Sequence, residues 1–263
     1  MIMRNVITLL ILSISFFVQA QVVNITYITV PRENSETFLK LHEKFTNLSN
    51  SKDRLQIDSA IFAHAFAGDY TFAIYDFYAN AEDLVNDASL IDEAMNKNID
   101  AMNLDKEKEM ELNEEYKSYS SMYAYNHTDQ IRQDKGLEGL EFESENLDWS
   151  TKKVVVVSKY EVKWGMNKIF YDGLIDGIKS LKESGHAVGH YASRHLYGSG
   201  ADYHTYQFYE SWTDFAAYEE ANSGQSMSDD NKKFWSSIES HDDEILTFIG
   251  GTNPETKVFS YRK

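Results

Sequence analysis

The segment Phe72-Ala73-Ile74-Tyr75-Asp76-Phe77-Tyr78 sets one carboxylate inside a run of aromatic and branched residues. Alternation along a strand gives Phe72, Ile74, Asp76 and Tyr78 one face and Ala73, Tyr75 and Phe77 the other. A carboxylate enclosed with the first set loses several kcal/mol of hydration unless it is paired, hydrogen-bonded or protonated, and a raised pKa would suit Asp76 to act as a general base. If that strand end dips into water, the same residue is a plain surface acid. His186, His190 and Arg194 share a strand face with Val188, and His64 lies on the corresponding strand upstream. His186 and His190 cannot clasp one metal from a strand, because four residues span about 13 Å while two zinc ligands bring their nitrogens within roughly 4 Å. No metal site is expected, and His64 and His190 read as polar wall residues within reach of a ligand.

Other chemistries find no purchase. The absence of Cys removes a thiolate nucleophile, a disulfide and an acceptor for a lipid anchor. No Gly-x-Ser-x-Gly elbow occurs, and Gly198-Ser199-Gly200 lacks the third glycine and the helix of a dinucleotide loop. The acidic run Glu107 to Glu115 has neither the glycine nor the ligand spacing of a calcium loop. No cofactor is expected.

Met1 to Ala20 has the form of a secretory signal: Arg4 as the positive start, an apolar run from Val6 to Val18, and Val18-Gln19-Ala20 before the expected cleavage. Periplasmic or extracellular release follows from that reading, with no membrane anchor, since no later segment is apolar for long enough to span a bilayer. The formal charge of -17 becomes -18 once Arg4 is removed, a surface that repels phosphate backbones, so nucleic acid is not an expected partner.

The elements that must position Asp76 occur twice. Phe77-Tyr78 precedes Asn80-Ala81-Glu82-Asp83, and Phe208-Tyr209 precedes Ser211-Trp212-Thr213-Asp214, an offset of 131 residues (209 minus 78). Asn80 and Ser211 are helix caps, with Asp83 and Asp214 three residues on. Each half opens on a β-branched run, Val22 to Val30 and Val154 to Glu161, followed by a helix with one apolar stripe. The stripes are Phe38, Leu41, Phe45 and Leu48, then Phe170, Leu174, Ile178 and Leu181. Gly173 and Gly177 are taken to let the second of these helices approach the sheet. Ser59 to Phe66 and His186 to Tyr197 are second strands; Thr71 to Tyr78 and Tyr203 to Tyr209 are thirds; Tyr116 to Tyr125 and Lys257 to Tyr261 are expected fourths. A last helix carries Phe234, Ile238, His241, Ile245 and Phe248 on one face, with His241 as a core histidine. The acidic stretch 131–150 reads as a linker between units at 21–130 and 151–263.

The fold class expected is therefore α+β, with two ferredoxin-like βαββαβ units on one chain. Each unit leaves one sheet face bare, too large a fraction of its apolar surface to stay wet, so the halves should pack sheet to sheet as a pseudo-dimeric barrel. On this order of elements, and on Phe208-Tyr209-Glu210-Ser211 with its weaker copy Phe77-Tyr78-Ala79-Asn80, the chain resembles the antibiotic-biosynthesis-monooxygenase-like dimeric α+β barrels. In that superfamily the aromatic at the position of Tyr209 points into the barrel. The resemblance thus implies that Tyr209, Gln207, Tyr78 and Asp76 face the interior. Relatives that degrade haem carry a ligating His on the second helix; neither Ala81 to Met102 nor Trp212 to Asn222 contains one, so haem is not expected. The reading that follows is an exported protein binding a small, largely apolar ligand between its halves, oriented by Asp76, Tyr78, Gln207 and Tyr209. The alternatives are a cofactor-independent monooxygenase or isomerase with Asp76 or a nearby His as base, and a structural or interaction protein whose barrel is filled.

Overall fold

The computed structural model describes residues 22–66, 68–145, 147–224, 226–253 and 255–263. The expected export signal lies outside them. The first half runs β1 (Val22–Ile28), α1 (Ser35–Ser49), β2 (Asp58–His64), β3 (Phe72–Tyr78), α2 (Ala81–Ala101), α3 (Lys106–Tyr125) and β4 (His127–Gln133). After a two-residue strand, β5 (Phe142–Glu143), the second half runs β6 (Lys153–Val162), α4 (Asn167–Ser184), β7 (Ala187–Gly198), β8 (Tyr203–Tyr209), α5 (Trp212–Asn222), α6 (Asp229–Ser236), β9 (Ile238–Thr252) and β10 (Phe259–Tyr261). The sheets have the ferredoxin-like orders β4-β1-β3-β2 and β7-β8-β6-β9.

The two sheets face each other and are also bonded at both edges. β4 pairs with β7 and β2 with β9, closing an eight-stranded antiparallel barrel with no free edge among these strands. The duplication is visible in the elements: β8 begins and ends 131 residues after β3 (203 minus 72, 209 minus 78). The caps match as well. Asn80 Oδ1 accepts from the Asp83 amide at 2.9 Å, and Ser211 Oγ accepts from the Asp214 amide at 3.2 Å. Both apolar stripes lie against the outer faces of their sheets, α1 through Phe38 and α4 through Phe170, Leu174, Ile178 and Leu181.

Several expectations change, and in the second half the fourth strand is β9, with β10 a short strand paired to it. Residues 116–125 form the end of α3, a second long helix laid beside α1, and the fourth strand is β4. The stripe from Phe234 to Phe248 divides between α6 and the fifteen-residue β9, whose sheet pairing with both β2 and β6 overrides the three-and-four spacing. His241 accordingly stands on a strand, half-buried, stacked on Tyr160 and 3.1 Å from an Asp243 oxygen. The stretch 131–150 does more than connect. Its first three residues belong to β4, β5 pairs with β7, and Leu137, Leu140 and Phe142 are buried under α4, while Leu147 and Trp149 pack against one end of the barrel interior.

Gly173 serves a different contact from the one expected. A Cβ there would lie 2.6 Å from the Phe234 ring of α6, whereas a Cβ on Gly177 meets nothing within 4 Å. Gly173→Ala should therefore cost about 1–3 kcal/mol through overpacking, while Gly177→Ala should stabilise by up to about 1 kcal/mol through helix propensity. Urea midpoints of the two variants are expected to move in opposite directions.

Candidate functional site

The strand parity implied by the resemblance is reversed. The barrel interior is lined by Tyr75 and Phe77 of β3 and by Tyr206 and Phe208 of β8, with Val23, Phe62, Val157, Leu246 and Phe248. Trp149 closes one end, its ring 5.2 Å from Phe208 and 5.5 Å from Phe248. Beside Tyr75 and Tyr206 a cavity of about 60 Å³ is left, so most of the space between the sheets is taken up by rings. Asp76, Tyr78, Gln207 and Tyr209 are on the opposite faces, toward the helices. Tyr209 Oη donates to Gln207 Oε1 at 2.8 Å and its ring packs on Phe215 and Tyr218 of α5. Tyr78 Oη lies 3.4 Å from Asp87 Oδ2. The pair from the first half and the pair from the second are thus on opposite sides of the barrel.

The histidines also separate. An irregularity in the β7–β8 register between Ala187 and Gly189 puts Val188 and Tyr191 inside, so His190 turns outward. There it is buried against Phe142 with Nδ1 2.7 Å from the Leu140 carbonyl, and burial lowers its pKa to about 4, which makes it a neutral core residue. His64 borders the open end of the barrel, with Nδ1 2.6 Å from the Phe66 carbonyl.

Asp76 does line a cavity, in another place. Between the outer face of the first sheet and helices α1, α2 and α3 lies a space of about 320 Å³. Its floor includes Asp76 and Ser59, which with Asn24 form a polar row aligned across β1, β3 and β2, where a sheet under a helix ordinarily presents apolar residues. Its walls include Phe45 of α1, Met95 of α2 and Tyr116, Tyr119 and Tyr123 of α3. The tyrosines recur at steps of three and four, so one face of α3 roofs the cavity with phenols.

A chain of hydrogen bonds fixes the acid. Asp87 on α2 is held by Arg54, whose Nε and Nη2 reach its carboxylate at 2.6 to 2.9 Å, and by the Leu55 amide at 2.8 Å. Arg54 Nη2 donates to Gln56 Oε1 at 3.2 Å, which orients the amide so that Gln56 Nε2 donates to Asp76 Oδ1 at 2.6 Å. Burial nevertheless dominates at Asp76. It pushes the carboxyl up to about 6, against the lowering effects of Ser59, Arg54 and Gln56. Across the cavity His42 Nδ1 is 2.9 Å from Tyr119 Oη, its Nε2 has no partner among the described residues, and burial lowers its pKa to about 4. A neutral imidazole and a carboxyl poised near neutrality therefore border one largely aromatic space, suited to a small ring compound carrying a hydroxyl or carbonyl. Among the described residues no group of three or more His, Asp or Glu side chains is arranged to hold a metal ion.

His42, Arg54, Gln56, Tyr119 and Tyr123 were not singled out from the sequence. His42 carried a signal, since it falls on the apolar stripe between Leu41 and Phe45; the tyrosines were hidden by reading their helix as a strand.

Asp76 binds its proton more tightly in the folded protein than in the unfolded chain, so its contribution to stability falls as pH rises from 3.8 to about 6. Burial gives Asp58 and Asp134 slopes of the same sign, and His42 and His190, with lowered values, slopes of the opposite sign. Comparison with Asp76→Asn isolates the one group. That variant should gain on the wild type between about pH 4 and about pH 6.5, reaching about 1–3 kcal/mol, as read from urea melts. An offset equal at every pH would contradict the assignment.

No family model matches the sequence, and no curated protein does. Solved structures match along nearly the whole chain. An anthrone oxidase-like protein superposes with a TM-score of 0.58 at 13% identity, covering 90% of this chain and 94% of that one. A protein described as a candidate monooxygenase from Fusobacterium nucleatum gives 0.58 at 10% identity, with 94% and 99% covered. Chlorite dismutase from Candidatus Nitrospira defluvii, in complex with imidazole, gives 0.52 at 8% identity, with 92% and 96% covered. At these identities the likeness shows the fold, the dimeric α+β barrel with both halves on one chain.

Proposed function

We propose that this dimeric α+β barrel protein is exported and binds a small, largely apolar molecule in the helix-roofed cavity of its first half. The observation that carries the reading is Asp76, a carboxyl raised to about 6 on the floor of a cavity of about 320 Å³ walled by tyrosines. A carboxyl kept in such a place costs stability, and the Arg54 and Gln56 chain that orients it has a purpose if a ligand hydroxyl or carbonyl meets it there. The middle of the barrel is the poorer binding place, because beside Tyr75 and Tyr206 the rings leave about 60 Å³. Export rests on the apolar leader from Met1 to Ala20.

A cofactor-independent oxygenase is the second reading. It is favoured by Asp76, which at neutral pH would take a proton from an activated carbon, and by neighbours described as anthrone oxidase-like and as a candidate monooxygenase. In that reaction the carbanion would give one electron to dioxygen, the radical pair would join as a peroxide protonated by Asp76, and loss of water from the hydroperoxide would leave the carbonyl product.

Titration of the mature protein with an anilinonaphthalene dye, followed by 1-naphthol, should show saturable binding and displacement. Ser120→Trp, which fills the cavity from α3, should abolish it; displacement undiminished in that variant would move the ligand elsewhere. With anthrone in an oxygen electrode, the enzymatic reading expects oxygen uptake that Asp76→Asn lowers about 100-fold or more. Uptake equal in both proteins would remove Asp76 as base and leave the binding reading standing.

A further inference from the structure

The open end of the barrel is a separate place with a different chemistry. About 680 Å³ of space lies there, bordered by Tyr27, His64, Tyr70, Gln130, Lys159 and Glu244, with Asp69, Asp242 and Asp243 at the rim. The interior strand faces that are apolar at the Trp149 end thus finish in phenols, an amide and charges.

Several of these groups are unsatisfied. Tyr27 is only 6% exposed, yet its Oη makes no well-formed hydrogen bond among the described residues, and neither do Tyr70 Oη, Gln130 Oε1 and Glu244 Oε1, although the Tyr70 hydroxyl interacts with the Glu244 carboxylate and the Tyr27 hydroxyl with that of Tyr75. Buried polar atoms are ordinarily paired, so such a group of them in one mouth points to a molecule that pairs them. Carboxylate and amide oxygens only accept hydrogen bonds, and a phenol oxygen accepts readily, so the complementary molecule brings N–H donors.

Its charge follows from the lining. Asp69, Asp242, Asp243 and Glu244 stand against a single lysine, Lys159, with His64 and His127 beside them. The protein already shows how this mouth treats an ammonium. Lys159 Nζ lies 2.9 Å from Glu244 Oε2, with the Tyr27 and Tyr70 rings 5.6 and 6.0 Å away. Carboxylate and aromatic faces are what an alkylammonium group seeks. The second oxygen of Glu244 and the Tyr27 hydroxyl, held by no well-formed hydrogen bond, can turn to another. We propose that the open end of the barrel binds a small aliphatic amine, its ammonium received by Glu244 and Tyr27 and any second ammonium by the rim aspartates.

Calorimetric titration of the full mature chain at low salt, with 1,4-diaminobutane as probe and 1,4-butanediol as its neutral counterpart, tests this. Saturable binding of the diamine is expected, with none of the diol. Glu244→Gln should weaken it about tenfold or more and Tyr27→Phe severalfold, whereas Asp92→Asn, on the exposed side of α2, should leave it unchanged. Tyr27→Phe decides if Glu244→Gln fails to fold. No saturable diamine binding, equal binding of the diol, or an affinity indifferent to both mouth variants or equally sensitive to Asp92→Asn would overturn the proposal. None of these outcomes touches the cavity beneath α3, whose test uses other ligands and other variants.

Discussion

Two seams, β4 against β7 and β2 against β9, hold every other part of this molecule in place. A four-stranded sheet covered by helices on one side has one apolar face and two edges to protect. A twin unit solves both problems at once by covering the face and pairing the edges. Arg132 shows how closely the first seam is built. It is fully buried and satisfied by neutral acceptors, with Nε on Ser193 Oγ at 2.8 Å, Nη1 on the Ala201 carbonyl at 3.0 Å and Nη2 on the Ser193 and Asp202 carbonyls. A charge removed from water at such a point ties β4 to β7 and to the turn before β8, and tolerates little displacement of either.

Closure also decides where space can exist. Once both sheets turn their rings inward, Tyr75, Tyr206, Phe62, Phe208 and Trp149 occupy the interior. Room remains at the two ends of the barrel and outside it, between sheet and helices. The halves then diverge. Over the second sheet, α4 and the 137–142 segment pack directly, and the row aligned with Gln207 is Val156 and His190, the latter sealed beneath Phe142. Over the first sheet, α3 adds a second helical layer beside α1, and the corresponding row is Asn24, Asp76 and Ser59. Duplication supplied the frame, and the additional helix with its polar row made one copy hollow.

The hollow is supported from behind. Asp87 is buried, and it holds Arg54, which turns Gln56, which in turn holds Asp76. A carboxyl kept near neutrality by burial and fixed by an amide differs from a surface acid in both proton affinity and orientation, and each depends on Arg54 being neutralised by Asp87.

The repeat at 131 residues, the two apolar helix stripes, the caps at Asn80 and Ser211 and the ferredoxin-like order were legible in the chain, because each is a local preference read at short range. Asp76 stood out for the same reason, as a charge in an apolar run. Which face it occupied was not legible: β3 is buried on both sides, between interior rings and helices, so its residues show no alternation of polarity to mark inside from outside. β9 is exposed over much of its first half, from Glu239 to Asp243, and its apolar residues fell by chance at helical spacing, which disguised it as helix. In β7 an irregularity of register reversed the side on which His190 falls. The sequence by itself determined the repeat, the two helix stripes, the caps and the acid; parity, the roof of tyrosines, the strand β9 and the polar mouth were decided only when the seams closed, since each depends on partners far apart along the chain.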